Sequence, residues 1–535
     1  MVETRRVGVL ALVTPLLLLI APNAARGTDA PASNPVVTAA VQVTRNPNPT
    51  RAHSSPQIAR NPKTGELVIV ETDVYGGFGL AVHISADGGR TWADGGDPMM
   101  KPYTWNSDYA INGPYATLVF DKNAVLYMAF TAADPAKSAL NRADRPRPVF
   151  LARSEDGGRS FTTTMAYPVN ESDPKTINNR RGRVVLDQAN PANVYLAWIQ
   201  SSAGQKARSM TAASTDGGRT FAPAIDLAES EPQGGYESRQ AVTPDGIVHA
   251  VYPGGGFAPQ APPGTPAGPP VVRPIFYRQS TDHGRTWSQP VVIDQGAAGF
   301  SANRKQTLAA DPKSGNLYMA WYGTAETRPA LDVPNQIYVR VSTDSGAHWG
   351  ERVTVNDDAN SPTTQHYDPG ISIAPNGRVD LAWYDFRNSP TPEQNLENAP
   401  FNNGGFTDVY YASSTDGGHT FGRNLRISDR MADRRIGVWS NNVHSHFNVG
   451  IASANDGVYF AWQDTRNGNS MTNSEDIYYA SLLYDSSAVS VESGSDVPGW
   501  VLGGAGVAVG MGAAMLLVFM TGRRSRSQLS RATAR

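Results

Sequence analysis

Ser414-Thr-Asp416-Gly-Gly-His-Thr-Phe421 is an eight-residue turn that recurs along this 535-residue chain. Earlier copies read Ser85-Ala-Asp87-Gly-Gly-Arg-Thr-Trp92, Ser154-Glu-Asp156-Gly-Gly-Arg-Ser-Phe161 and Ser214-Thr-Asp216-Gly-Gly-Arg-Thr-Phe221. Ser280-Thr-Asp282-His-Gly-Arg-Thr-Trp287 and Ser342-Thr-Asp344-Ser-Gly-Ala-His-Trp349 complete the set. The starting serines are 69, 60, 66, 62 and 72 residues apart, which suits a four-stranded propeller blade with generous loops. In each copy the Asp accepts backbone N–H bonds, Gly takes the positive φ and the aromatic plugs into the blade.

A second motif runs in phase with the turn. Gly315-Asn-Leu-Tyr-Met-Ala-Trp321, Gly377-Arg-Val-Asp-Leu-Ala-Trp383 and Gly457-Val-Tyr-Phe-Ala-Trp462 are its strong copies. Glu66–Glu71, Val125–Phe130, Val194–Trp198 and Ile247–Val251 are weaker ones, making seven strands against six turns. The seventh unit stops after Asp476-Ile-Tyr-Tyr-Ala-Ser481, without a turn motif or fourth strand. Val36–Thr44 is a spare strand that can fill that place. The expectation is an all-β, seven-bladed β-propeller, with six blades the alternative, closed by its own N-terminal strand so that no sheet edge is left open. Trp198, Trp321, Trp383 and Trp462 share one register and read as core.

The ends are of a different kind. Residues 1–27 read as a secretory signal, with Arg5 and Arg6 before an apolar run and small residues at Ala25 and Gly27. After a short linker at 28–35, the propeller is expected over 36–485 and a juxtamembrane linker over 486–496. Residues 497–521 carry no charge and are long enough for one C-terminal transmembrane helix. The tail 522–535 holds five arginines, so it is expected in the cytoplasm and the propeller outside. Removing that tail and the leader's net +2 from the total of −2 leaves about −9 on the outer part. An acidic surface disfavours nucleic acid as a partner. The absence of cysteine excludes disulfides, Cys-zinc sites, Fe–S clusters and thiol catalysis. Arg far outnumbers Lys, which suits a bacterial envelope protein.

The eight-residue turns are similar to Asp-box (BNR) repeats, and residues 36–485 resemble the sialidase-like β-propeller superfamily. The resemblance implies that the Asp boxes are structural and that the opposite face carries the pocket. That face is built from the loops entering first strands and those joining second to third strands. Family enzymes have six blades. They use three Arg on a substrate carboxylate, a Tyr nucleophile with a Glu partner, and an Asp acid/base. Tyr236-Glu237-Ser-Arg-Gln resembles the stretch holding the family Glu, which points to Glu237. His366-Tyr367-Asp-Pro-Gly resembles the Tyr stretch, which points to Tyr367, about one residue out of step. Asp73 is a candidate acid by position. The Arg-Ile-Pro signature is absent, and its region reads Ser54-Ser-Pro-Gln-Ile-Ala-Arg60. Arg239, Arg304, Arg387 and Arg466 are the arginines available to a substrate.

Four of the nine histidines, His53, His366, His444 and His446, precede first strands of units 1, 6 and 7, which become neighbours once the ring closes. The second-to-third loops of those units carry Asp73, Asp385-Phe-Arg387-Asn388 and Asp464-Thr-Arg466-Asn467. A polar channel lining, a substrate-orienting pocket and a His/Asp metal site are all open readings of this cluster; no cofactor is expected. The Pro-rich Phe257–Pro274 and the Asn-rich 388–407 are long insertions on the same face. The implied activity is that of a membrane-anchored glycoside hydrolase acting on a terminal sugar. The alternative is a non-catalytic cell-surface propeller that binds a glycan, glycoconjugate or protein.

Overall fold

The computed structural model describes residues 35–484, apart from 74–78, 104–115, 135–146, 170–177, 203–204, 233, 256–273, 296–305, 324–334, 360–363, 391–404 and 438–448. The leader, the apolar segment 497–521, the basic tail, Arg304, His444, His446 and most of the Pro-rich insertion lie outside the described residues. Among the described residues there is no helix, and none long and apolar enough to cross a membrane.

Seven antiparallel sheets follow one another along the chain. Blade 1 comprises His53–Arg60, Leu67–Asp73, Gly79–Ser85 and Ala93–Asp94, paired in that order. Blades 2 to 6 repeat the order. The seventh sheet has Gly450–Ala454, Gly457–Asp464 and Asp476–Leu483, and its outer position is taken by the N-terminal strands Val36–Val37 and Val41–Gln42. Val36 lies opposite Leu483, and Val41 opposite Tyr479. The amides of Thr38 and Val43 donate to the carbonyls of Ser481 and Ile477 at 2.8 Å. The spare strand therefore closes the ring as expected, and the blade count is seven.

Each Asp box links a third strand to a fourth. In the last copy Ser414 Oγ donates to Asp416 at 2.7 Å, the Gly418 amide donates to Ser414 Oγ at 2.8 Å and Thr420 Oγ donates to Asp416 at 2.5 Å. The fifth copy has His348 where the others have Thr or Ser, and its imidazole takes over the bond to Asp344 at 2.6 Å. The second Gly is needed for space as well as for φ. A Cβ on Gly89 would lie 1.9 Å from the ring of Tyr479 in the preceding blade.

One layer of the core repeats around the ring. Opposite the residue four before each box serine, the second strand buries Phe130 in blade 2, Trp198 in blade 3, Tyr252 in blade 4, Trp321 in blade 5 and Trp383 in blade 6. Trp462, opposite Tyr478, continues the layer in blade 7. Each ring is fully buried, and burial of one contributes about 4–6 kcal/mol before entropy is counted. In blade 1 the same position, opposite Ala81, holds Glu71.

Candidate functional site

The first strand of each blade starts at the pocket face. In blades 1, 3 and 6 it bulges within its first few residues, between Ser54 and Gln57, between Arg180 and Arg183, and between Tyr367 and Gly370. Each bulge holds a non-glycine residue at positive φ: Ser55 at 54°, Arg181 at 60° and Asp368 at 58°. Such backbone costs of order 1–3 kcal/mol per residue and collects where a fold re-aims side chains. These three positions are equivalent in their strands, so the bulge is a repeated device of the pocket face.

In blade 3 the bulge presents Arg181 and Arg183 to the next blade. Arg181 donates to the carboxylate of Glu237 at 2.7 Å, Arg183 bonds its other oxygen, and Arg239 approaches that same oxygen at 3.2 Å. All four side chains are largely buried. Burial works against the Glu237 charge, but Arg183 and Arg181 outweigh it and hold the carboxyl below its usual range. The Arg181 guanidinium also lies 5.3 Å from the ring centre of Tyr236. Arg239 extends the network by donating to the Gln306 carbonyl of blade 5 at 2.9 Å.

Blades 6 and 7 carry twin clamps, Trp383-Tyr-Asp385-Phe-Arg387-Asn388 and Trp462-Gln-Asp464-Thr-Arg466-Asn467. In both, the Trp indole N–H donates to the Asp, at 2.9 and 3.2 Å. The Arg returns to the same Asp, at 2.8 and 2.6 Å. The guanidinium then stacks on Tyr410 or Tyr478 at 4.2 or 4.0 Å. The Asn binds the hydroxyl of that tyrosine at 2.9 or 3.0 Å. The clamps fasten second strand to third.

His366 sits beside the blade 6 clamp. Its Nδ1 is 2.8 Å from the Asn335 carbonyl and its Nε2 is 3.0 Å from Asp358 and 3.5 Å from Asp385. One ligand atom each from Asp358, His366 and Asp385 lie within 4.8 Å of one another, a spacing a divalent cation would fit. Arg387 already shares both carboxylates, at 3.3 and 2.8 Å, and supplies the counter-charge. In blade 7 Asp429 serves Arg466 in the same way at 2.7 Å, with Asp464 on its other side. The chemistry of the cluster is accounted for by the arginine, and no metal is assigned to it.

In blade 1, His53 Nδ1 is 3.0 Å from Glu71, and His83 Nε2 is 3.6 Å from the same oxygen. Asp73 faces His53 across the sheet in register. The sequence placed His53 and His366 in loops; both are buried first residues of inner strands, where both ring nitrogens of His366 and Nδ1 of His53 have acceptors.

The contacts of Glu237, Tyr367 and Asp73 lie in different blades. Glu237 is held by arginines of blades 3 and 4. Tyr367 packs edge-on between Tyr322 and Phe386, at 5.2 and 5.6 Å. Asp73 lies by His53. Nor do the three described candidate arginines share a partner: Arg239 belongs to the Glu237 cluster, Arg387 and Arg466 to their clamps. Arg181, Arg183, Glu71, His83 and Asp358 escaped the sequence reading. The crowding in Arg180-Arg-Gly-Arg183 was the available signal for the first two.

No protein-family model matches the chain. Over 130 residues it is 34% identical to a sialidase of Micromonospora viridifaciens, a stretch covering 22% of this chain and 18% of that protein. Solved structures similar in fold include an α-L-arabinofuranosidase of Fusarium graminearum (13% identity, 65% of this chain and 92% of that one, TM-score 0.42). They also include a Hadza microbial sialidase (12%, 76% and 74%, TM-score 0.41) and an ulvan lyase (11%, 80% and 93%, TM-score 0.45). Six Asp boxes in a seven-bladed ring with charged inner-strand ends define an Asp-box β-propeller. Over the matched stretch the chain is similar to a sialidase, and it spans under a fifth of that protein's length.

Proposed function

We propose that this protein is an envelope-anchored propeller that binds an acidic sugar at the mouth of the ring. One observation carries the reading: Arg181, Arg183 and Arg239 converge on one carboxylate, that of Glu237. Guanidinium forks arranged around a carboxylate are the chemistry that recognises a sugar acid. The fractional match to a sialidase supports a carbohydrate ligand. The leader at 1–27, the apolar segment 497–521 and the basic tail support export and a single membrane anchor. A glycan array probed with the full chain in detergent tests this. Sialosides and uronides should bind, neutral glycans should not, and Arg183→Ala should weaken acidic binding about tenfold to a hundredfold. Equal binding of neutral and acidic glycans refutes it.

A second reading is hydrolysis of that terminal sugar, favoured by the likeness of Tyr236-Glu237 to the family stretch. It predicts turnover of aryl sialosides or uronides that Glu237→Gln abolishes. Binding without turnover selects the first reading.

A further inference from the structure

Six blades bury an aromatic ring at one position of the second strand, and blade 1 buries Glu71 there. A carboxylate in a hydrophobic layer is unfavourable unless it is paired, and a break in an otherwise consistent pattern marks a functional position. Glu71 is fully buried, as its side chain faces blade 7 across the seam where the ring closes. It is paired with His53 at 3.0 Å and approached by His83 at 3.6 Å, and His83 in turn lies 3.4 Å from the exposed Asp94. The series runs across all four strands of blade 1, from the inner strand to the outer one.

The pairing fixes the His53 ring. Nδ1 faces Glu71, so Nε2 points the other way. That atom is buried, on a side chain only 4% exposed, and among the described residues it has no hydrogen-bond partner. An orphaned ring nitrogen on a buried, carboxylate-oriented histidine is the arrangement of a histidine reserved for another group. The backbone holds it firmly: the His53 amide donates to the Glu475 carbonyl at 3.1 Å, and the Ser55 amide, on the bulge, donates to Gln463 of blade 7 at 3.1 Å.

We infer that His53 Nε2 is a ligand-binding atom of the mouth, presented to an oxygen of the bound sugar acid, with Glu71 and His83 as its positioning residues. The inference rests on the acidic-glycan reading above. The charged groups that face His53 are Glu71 and Asp73 from the second strand and Asp476 from blade 7, the last already bonded to Arg51 at 2.7 Å; His83 reaches it through Glu71. Burial opposes a charge on the ring, but Glu71, with Asp73 and Asp476 behind it, pushes His53 up to about 9. At neutral pH Nε2 therefore carries hydrogen and suits an acceptor oxygen, a carboxylate above all.

Histidine NMR of the full chain in detergent, with 13Cε1 labelling and assignment by His53→Gln, tests this. The probe is the methyl α-glycoside of N-acetylneuraminic acid, with methyl glucuronide as the second. Saturation should shift the His53 resonance, and His53→Gln should weaken binding about tenfold. Wild-type affinity should hold up to about pH 9, the value to which His53 is raised. In the isosteric Glu71→Gln it should fall away from about pH 6.5 or lower, because the histidine then lacks its carboxylate. A merely structural Glu71 would not move that pH profile. If Arg183→Ala abolishes binding while the His53 resonance and the Glu71→Gln profile stay unchanged, Nε2 serves an internal water. The inference then falls and the functional reading stands. If neither probe binds and Arg183→Ala changes nothing, both fall.

Discussion

The ring closes around an axis where the inner strands approach so nearly that a single methyl group should be felt. A Cβ on Gly370 of blade 6 would lie 2.6 Å from the carbonyl oxygen of Val449 and 3.0 Å from a methyl of Ile451, both in blade 7. Ordinary contact begins near 3.4 Å, so Gly370→Ala asks the two blades to part by roughly 0.8 Å. In an open sheet such a shift would dissipate. Here blade 7 is already seated against blade 1, where a Cβ on Gly450 would lie 3.0 Å from the Pro56 carbonyl. The strain stays in the ring, and overpacking of this kind costs about 1–3 kcal/mol. A propeller of about 450 residues has an unfolding entropy near 0.9 kcal/mol/K, so the apparent Tm should fall by about 1–3 °C. Gly79→Ala is the control. It lies in a strand of blade 1 at an ordinary φ, with nothing among the described residues within 4 Å of an added Cβ. Ala there should be neutral or slightly stabilising. Differential scanning calorimetry of the two variants decides the matter, and equal shifts would refute the argument that the closed ring cannot relax.

Two further outcomes follow from the closing seam. His53 titrates near 6.5 when unfolded and about 9 when folded, so its ion pair contributes about 3 kcal/mol, in full below pH 6.5 and lost as pH rises through 9. The stability difference between wild type and His53→Gln in urea should shrink by that amount across this window; a constant difference from pH 6 to 9.5 would contradict it. Deleting residues 35–44 should leave the strand Asp476–Leu483 without its edge partner. The expected result is self-association in light scattering, and a monodisperse monomer would count against N-terminal closure.

The fold was legible because its signals are local and repeated. Six Asp boxes set the period, seven second strands set the count, and the missing fourth strand of unit 7 pointed to Val36–Thr44. The trans-blade contacts were not legible. Nothing within Arg180-Arg-Gly-Arg183 says that its side chains reach Glu237, some 54 residues on in the chain. That meeting depends on a bulge at Arg181, and a one-residue shift in register would send the same arginine to the other side of the sheet.

The clamps show what recurring charged residues near the mouth do for the scaffold. Asp385, Arg387, Asp464 and Arg466 drew attention because charged residues recurred near the mouth of adjacent units. Their contacts recur as well, joining second strand to third in both blades. Each Trp-x-Asp-x-Arg-Asn closes on its own Tyr, and the guanidinium forks are occupied at 2.6–2.8 Å by carboxylates of the same blade. Function on a repeat scaffold is better sought where one unit departs from the others. Two departures stand out: the arginine-crowded bulge of blade 3, and the single carboxylate in a layer of six aromatic rings. The second was written in the sequence, since the strand copy Glu66–Glu71 ends in Glu where its strongest counterparts end in Ala-Trp. Read as a weak copy of a motif it carried nothing; read as a substitution at a fully buried register position it requires a partner, and the structure supplies His53.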